Sequence, residues 1–110
     1  MTGRYEILIP VASNDGIQFD AGVVAGFDAL CLEAFGGFTH NPTQLRGVWR
    51  DADTGIVYDE PMTMYFVYSD NVDTVIAVAS SAATIFDQVA ISVTKPGGIS
   101  TLVYNPSLSK

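Results

Sequence analysis

The sequence predicts an α+β fold in the order β-α-β-β-α-β, with one further strand towards the C-terminal end. Three observations carry this. Apolar residues recur at helical spacing in two separated stretches, period-two runs flank each stretch, and clusters of Gly, Pro, Asn and Asp mark the junctions.

Residues 5–11 (YEILIPV) put Tyr5, Ile7, Ile9 and Val11 on one face and Leu8 on the other, the pattern of a central strand covered in part on both sides. Ser13-Asn14-Asp15-Gly16 is a turn cluster, and Asp20 is the expected N-cap of a helix running to Phe35. Val23, Val24, Phe27, Leu30, Cys31 and Ala34 form its core-facing stripe. Gly36-Gly37 ends it, because glycine accepts the left-handed conformation that closes a helix. Residues 45–50 (LRGVWR) predict the next strand, with an earlier limb at Phe38-Thr39. The loop Asp51-Ala52-Asp53-Thr54-Gly55 then turns the chain into Ile56-Val57-Tyr58. Glu60-Pro61 reads as a strand break, and residues 62–68 (MTMYFVY) alternate as the clearest strand of the chain.

Ser69-Asp70-Asn71 predicts the cap of a second helix over residues 72–88, with Val72, Val75, Ile76, Ala79, Ala83 and Phe86 as its buried stripe. Residues 89–94 predict a strand, Lys95-Pro96-Gly97-Gly98 a turn, and residues 99–104 a last strand that pairs as a hairpin or along a neighbouring subunit. Residues 105–110 are expected to form a loose tail. Two helices on one face of an antiparallel sheet bury both stripes economically, which is the split βαβ or ferredoxin-like plan. It leaves the second sheet face open, where Leu8, Val48 and the aromatic residues of the third strand would need another subunit to cover them.

The 110 residues suit one domain spanning the chain, and 48% apolar residues are ample for its core. Only 15% are charged, so some apolar surface is expected to be buried between subunits of an oligomer. The net charge of −7, with no cluster of basic residues, argues against nucleic acid and anionic membranes as partners. It suits a cationic or zwitterionic small ligand. No apolar run approaches the length of a membrane span, and no signal-peptide pattern opens the sequence. With Cys31 as the single cysteine, unable to form an internal disulfide, these features lead to the expectation of a reducing, cytoplasmic setting.

Most catalytic chemistries lack equipment here. One histidine, His40, and one thiol, Cys31, cannot assemble a usual zinc or iron site, so no metal is expected. Asp51, Asp53, Asp59 and Glu60 resemble a calcium loop only in composition, since Gly55 falls one place early and the closing Glu is absent. Cys31 lies in the helix stripe as a small core residue, and no serine sits in a nucleophile elbow. Gly36-Gly37 stands at a helix end, the wrong pole for a phosphate cradle. What remains is Trp49 with Tyr58 and Glu60 across the hairpin, since an aromatic face and a carboxylate together hold an organic cation. The plainer assignment has Trp49 in the core and Glu60 as a surface acid.

Residues 35–68, FGGFTHNPTQLRGVWRDADTGIVYDEPMTMYFVY, resemble the corresponding region of small phage-encoded S-adenosylmethionine lyases, formerly called hydrolases. The shared features are a Gly-rich helix end, a strand with Gly47, Trp49, Arg50 and Asp51, and a Glu about a dozen residues on, at the start of the long strand. The resemblance implies a sandwich like the PII signalling proteins, assembled as a trimer with active sites between subunits. It implies an essential catalytic Glu at Glu60 and a substrate-binding aromatic residue at Trp49, where that family usually has Tyr; Tyr58 then offers the hydroxyl. It further implies conversion of S-adenosylmethionine to methylthioadenosine and homoserine lactone without cofactor, metal or general base, as a phage countermeasure to restriction in the host cytoplasm. One alternative is a non-catalytic PII-like trimeric binding module or phage accessory protein. Another is a dimeric ferredoxin-like monooxygenase using the open sheet face, for which His40 without a second polar cluster is poor equipment.

Overall fold

Among the described residues, 2–13 and 15–108 of the computed structural model, the chain forms β1 (Gly3–Pro10), α1 (Ala21–Phe35), β2 (Thr39–Arg50), β3 (Val57–Ser69), α2 (Val72–Ile85), β4 (Ala90–Thr94) and β5 (Ser100–Tyr104), then a 3-10 turn at Pro106–Leu108. The strands pair antiparallel in the order β2-β3-β1-β4-β5. This is the α+β sandwich that the element order predicts, with the extra strand joined to β4 as a hairpin.

Local chemistry starts and stops the helices. Asp20 Oδ1 accepts the amides of Gly22 (2.7 Å) and Val23 (3.1 Å), and Asn71 Oδ1 accepts that of Asp73 (2.9 Å). Each cap is worth about 1 kcal/mol. Gly36 closes α1 at φ 75° and donates its N–H to the Leu32 carbonyl. The helices pack on the sheet face formed by Tyr5, Ile7 and Ile9 of β1, Tyr65 and Val67 of β3, and Ile91 and Val93 of β4. Edge-to-face rings run through this layer: Phe27 lies 4.9 Å from Tyr65 and 5.6 Å from Phe86, and Phe86 lies 5.1 Å from Phe19. Such pairs add about 0.5–1.5 kcal/mol each beyond the area they bury. The Tyr65 hydroxyl donates to Asp28 Oδ1 at 2.6 Å, and His40 stacks on the Tyr65 ring at 4.2 Å with Nε2 at 2.9 Å from Thr63 Oγ1. His40 thus braces β2 against the core. Burial and the neighbouring Asp28 push the Cys31 thiol up to about 12, which keeps it protonated.

Several expected boundaries move. Helix α2 ends at Ile85 rather than at residue 88, because Asp87 turns left-handed at φ 51° and buried Gln88 donates its side-chain amide to the Phe86 carbonyl. Val72 is 39% exposed, while Val78 and Ala82 join the buried stripe, because β4 and β5 set the face that α2 presents. The expected limb starts at Thr39, without Phe38, and is one strand with residues 45–50, bulged between Asn41 and Leu45. Residues 105–108 are not loose. Asn105 is buried, donates to the Ala83 carbonyl and accepts from Ser107 and Thr84; Ser109 and Lys110 lie outside the described residues.

The sheet face away from the helices carries Leu8, Met64, Phe66, Leu102 and Tyr104, placed there by strand alternation. Leu8, Met64 and Phe66 are half-buried, and Tyr104 is 51% exposed.

Candidate active site

Pro61 does not break the long strand. β3 runs unbroken through Glu60-Pro61, and the register explains how. The Pro61 carbonyl accepts the Val11 N–H at 3.0 Å, so its nitrogen, on the same side of the strand, faces the place where β1 runs out. The ladder to β2 therefore loses nothing. Where an N–H of residue 61 would have reached the Val11 carbonyl, the Phe19 N–H donates instead at 3.2 Å. The strand break expected at Glu60-Pro61 is absent, and Glu60 keeps its place in the ladder opposite Gly47.

Past the end of β1, β2 and β3 continue as a two-stranded hairpin with Trp49 opposite Tyr58 and Gly47 opposite Glu60. Alternation sorts the side chains. Trp49, Tyr58, Glu60 and Met62 face away from the helices, while Arg46, Val48, Arg50 and Asp59 take the other face, so Val48 is not on the open face with Leu8 as expected. On that other face Arg46 Nε and Nη2 bind Asp59 Oδ1 and Oδ2 at 3.0 and 2.7 Å, which holds the Asp59 carboxyl below its usual range. The turn satisfies itself: Asp51 exchanges backbone hydrogen bonds with Ile56 and Gly55, and its side chain accepts the Asp53 N–H. No group of three or more metal-binding side chains forms among the described residues.

The three residues singled out in the sequence come together. The Trp49 and Tyr58 rings stack at 4.9 Å with 21° between planes, and the Trp49 indole N–H donates to Glu60 Oε1 at 3.4 Å. Trp49 is half-buried on the hairpin rather than in the core, and Glu60 is only 9% exposed rather than a surface acid. Glycine at position 47, opposite Glu60, leaves room for Met62, whose Sδ occupies the space that a side chain there would need. Burial pushes the Glu60 carboxyl above its ordinary value, and the Trp49 hydrogen bond pulls in the opposite direction with less effect. Beside Glu60, a cleft of about 510 Å³ opens between Ala12, Ser13 and Gly16 on one side and residues 56–61 on the other. The sequence marked Ser13 and Gly16 only as a turn; no local signal brings them beside Glu60, because the meeting depends on where β1 stops. Met62 was marked only as a strand residue, and the mid-strand Gly47 is the signal for its close approach.

A half-buried aromatic pair, a largely buried acid and an adjoining cleft on an antiparallel βαββαβ sandwich make a candidate small-molecule site. Among solved structures, the chain is similar to a phage SAM lyase in complex with S-methyl-5′-thioadenosine, with a TM-score of 0.70 and 14% identity over 94% of this chain and 89% of that one. A phage SAM lyase in its apo state is also similar, with a TM-score of 0.65 and 14% identity over 94% of this chain and 90% of that one. The chain has the fold of the phage SAM lyases. No protein-family model matches the sequence, and no curated protein matches it. No helix among the described residues is long and apolar enough to cross a membrane.

Proposed function

We propose that the chain is an S-adenosylmethionine lyase that releases methylthioadenosine and homoserine lactone, with Glu60 as its catalytic residue and Trp49 and Tyr58 binding substrate. The observation that carries this reading is a nearly buried carboxylate, bound to an indole N–H, beside a cleft in a fold shared with phage SAM lyases. One of those solved structures holds S-methyl-5′-thioadenosine, the nucleoside half of the proposed products.

The chemistry asks little of the protein. The substrate's carboxylate oxygen attacks its own γ-carbon as the bond from that carbon to sulfur breaks. The electron pair of the broken bond stays on sulfur, so a sulfonium and a carboxylate become a neutral thioether and a lactone. Opposite charges cancel on the way, and removing water from both while folding the chain into attack geometry accelerates the step. No proton moves and no oxidant is consumed. Glu60 would face the ammonium or sulfonium of the substrate, Trp49 would line the nucleoside or sulfonium, and the Tyr58 hydroxyl would serve where related enzymes use a strand tyrosine.

The proposed assembly is a trimer with the sites between subunits. The exposed apolar residues of the open sheet face favour a shared interface of this kind. The proposed setting is the host cytoplasm, where depleting the methyl donor would counter restriction-modification systems. Incubating the purified protein with S-adenosylmethionine and following methylthioadenosine and homoserine lactone tests the reaction. Absence of both products, with calorimetric binding retained, would leave a non-catalytic trimeric binding module. Light scattering tests the trimer.

A further inference from the structure

Resting on the lyase reading, we propose that Glu60 makes the cleft selective for a sulfonium over a thioether, so that the reaction itself loosens the hold on its nucleoside product. The basis is an imbalance of charge around one side chain. Glu60 is 9% exposed, and its hydrogen bond comes from the neutral Trp49 indole at a long 3.4 Å. The ion pairs among the described residues are Arg4–Glu6 and Arg46–Asp59, and Glu60 belongs to neither. Arg46 and Arg50 lie on the opposite face of the hairpin, turned away by strand alternation. None of the described residues lining the cleft is Lys, Arg or His.

A carboxylate partly withdrawn from water without a cation is costly, and an arriving cation relieves the cost. The neighbouring residues favour the same class of ligand, because Tyr58, whose ring stacks on Trp49, lines the cleft together with Glu60. The charge ledger of the proposed reaction then has a consequence for release. Before the step, the nucleoside carries a positive sulfur; after it, the electron pair of the broken C–S bond has made that sulfur neutral. Glu60 keeps its charge throughout, since no proton is transferred. Its attraction for the nucleoside therefore ends when the bond breaks, and the neutral thioether leaves a site built for a cation.

The test uses two ligands that cannot react: 5′-methylthioadenosine, and the sulfonium made by methylating its sulfur, which lacks the amino-acid chain and so has no internal nucleophile. Calorimetry on the full chain at neutral pH is expected to show the sulfonium binding at least about tenfold tighter. In Glu60→Gln the two affinities should converge, with circular dichroism reporting that the variant is folded. Equal affinities in the unsubstituted protein, binding of neither ligand, or a preference that survives in Glu60→Gln would each overturn the proposal. The lyase reading fails separately, if S-adenosylmethionine yields no methylthioadenosine while the sulfonium preference persists.

Discussion

Trp49 and Glu60 meet diagonally across the β2–β3 hairpin, two positions from direct opposition, with the indole nitrogen donating its hydrogen to a carboxylate oxygen 3.4 Å away. Trp49 is opposite Tyr58, and its ring stacks there, so the same side chain is fixed by a ring and aims a donor at the acid. These two functions are separable by mutation. Trp49→Phe keeps a ring on Tyr58 and deletes the donor, while Trp49→Ala deletes both. Trp49→Phe should cost about tenfold in kcat/KM and move the acid limb of the pH–rate profile upward, because the lost N–H favoured the charged carboxylate. Trp49→Ala should cost more, with a larger rise in KM.

Glu60→Gln should lower kcat/KM for S-adenosylmethionine by about a hundredfold or more while raising stability at neutral pH. The folded-state pKa of Glu60 lies above its ordinary value of 4.5, so the folded protein binds more protons than the unfolded chain between those two values. Stability from this group is therefore highest below 4.5 and falls as pH rises through the folded-state pKa. The stabilising effect of the Gln variant should be present at neutral pH and vanish in acid. Denaturant melts of both proteins across that range would check the sign.

Gly47→Ala should destabilise the protein by about 1–3 kcal/mol, since the added methyl meets the Met62 thioether. Activity should fall with it, because Met62 and Glu60 are alternate residues on the same face of β3. In the double variant with Met62→Ala, the two stability changes should be non-additive by more than about 0.5 kcal/mol. Strict additivity would mean that Met62 is not what keeps position 47 empty.

Tyr65→Phe removes the hydroxyl that donates to Asp28 at 2.6 Å and should cost about 1–3 kcal/mol of stability. Turnover at the remote hairpin should be unchanged once the variant is folded. Chemical denaturation paired with the product assay separates the two effects.

Cys31 is buried, with its thiol pushed up to about 12, so it should resist alkylation in the native protein and react promptly in denaturant. Mass spectrometry after iodoacetamide treatment reads this directly. Rapid native labelling would show that α1 opens away from the sheet.

The fold was largely legible because its signals are local: a capping Asp at 20, left-handed Gly36, and period-two runs at residues 5–11 and 62–68. Trp49, Tyr58 and Glu60 were legible as neighbours across a hairpin, but their shared face rests on six residues, 51–56, lying between the paired Arg50 and Val57, which puts 49 beside 58 and 47 beside 60; a turn of only 51–55 would have set 49 beside 57. What escaped notice depends on non-local neighbours. Whether Pro61 interrupts a strand is decided by which strand lies at its nitrogen, and here none does. The face that α2 buries follows from β4 and β5, which the spacing of its own valines and alanines does not specify. Asn105 looked like the start of a polar tail, yet it ties the chain end to the last turn of α2 through Ala83 and Thr84.

Val11 joins parts of the chain that sequence separates, its N–H donating to the Pro61 carbonyl and its own carbonyl accepting from Phe19. Because proline at 61 has no hydrogen to give, that oxygen is left for Phe19, and the approach to α1 is stitched to the rim of the long strand one residue from the acid. An ordinary residue at 61 would bring a rival donor, and the stitch could slip. The ring at this position thus leaves the Val11 oxygen to Phe19, and the turn between them is closed by its own bonds, with Ser13 accepting the Ile17 N–H and Gly16 left-handed.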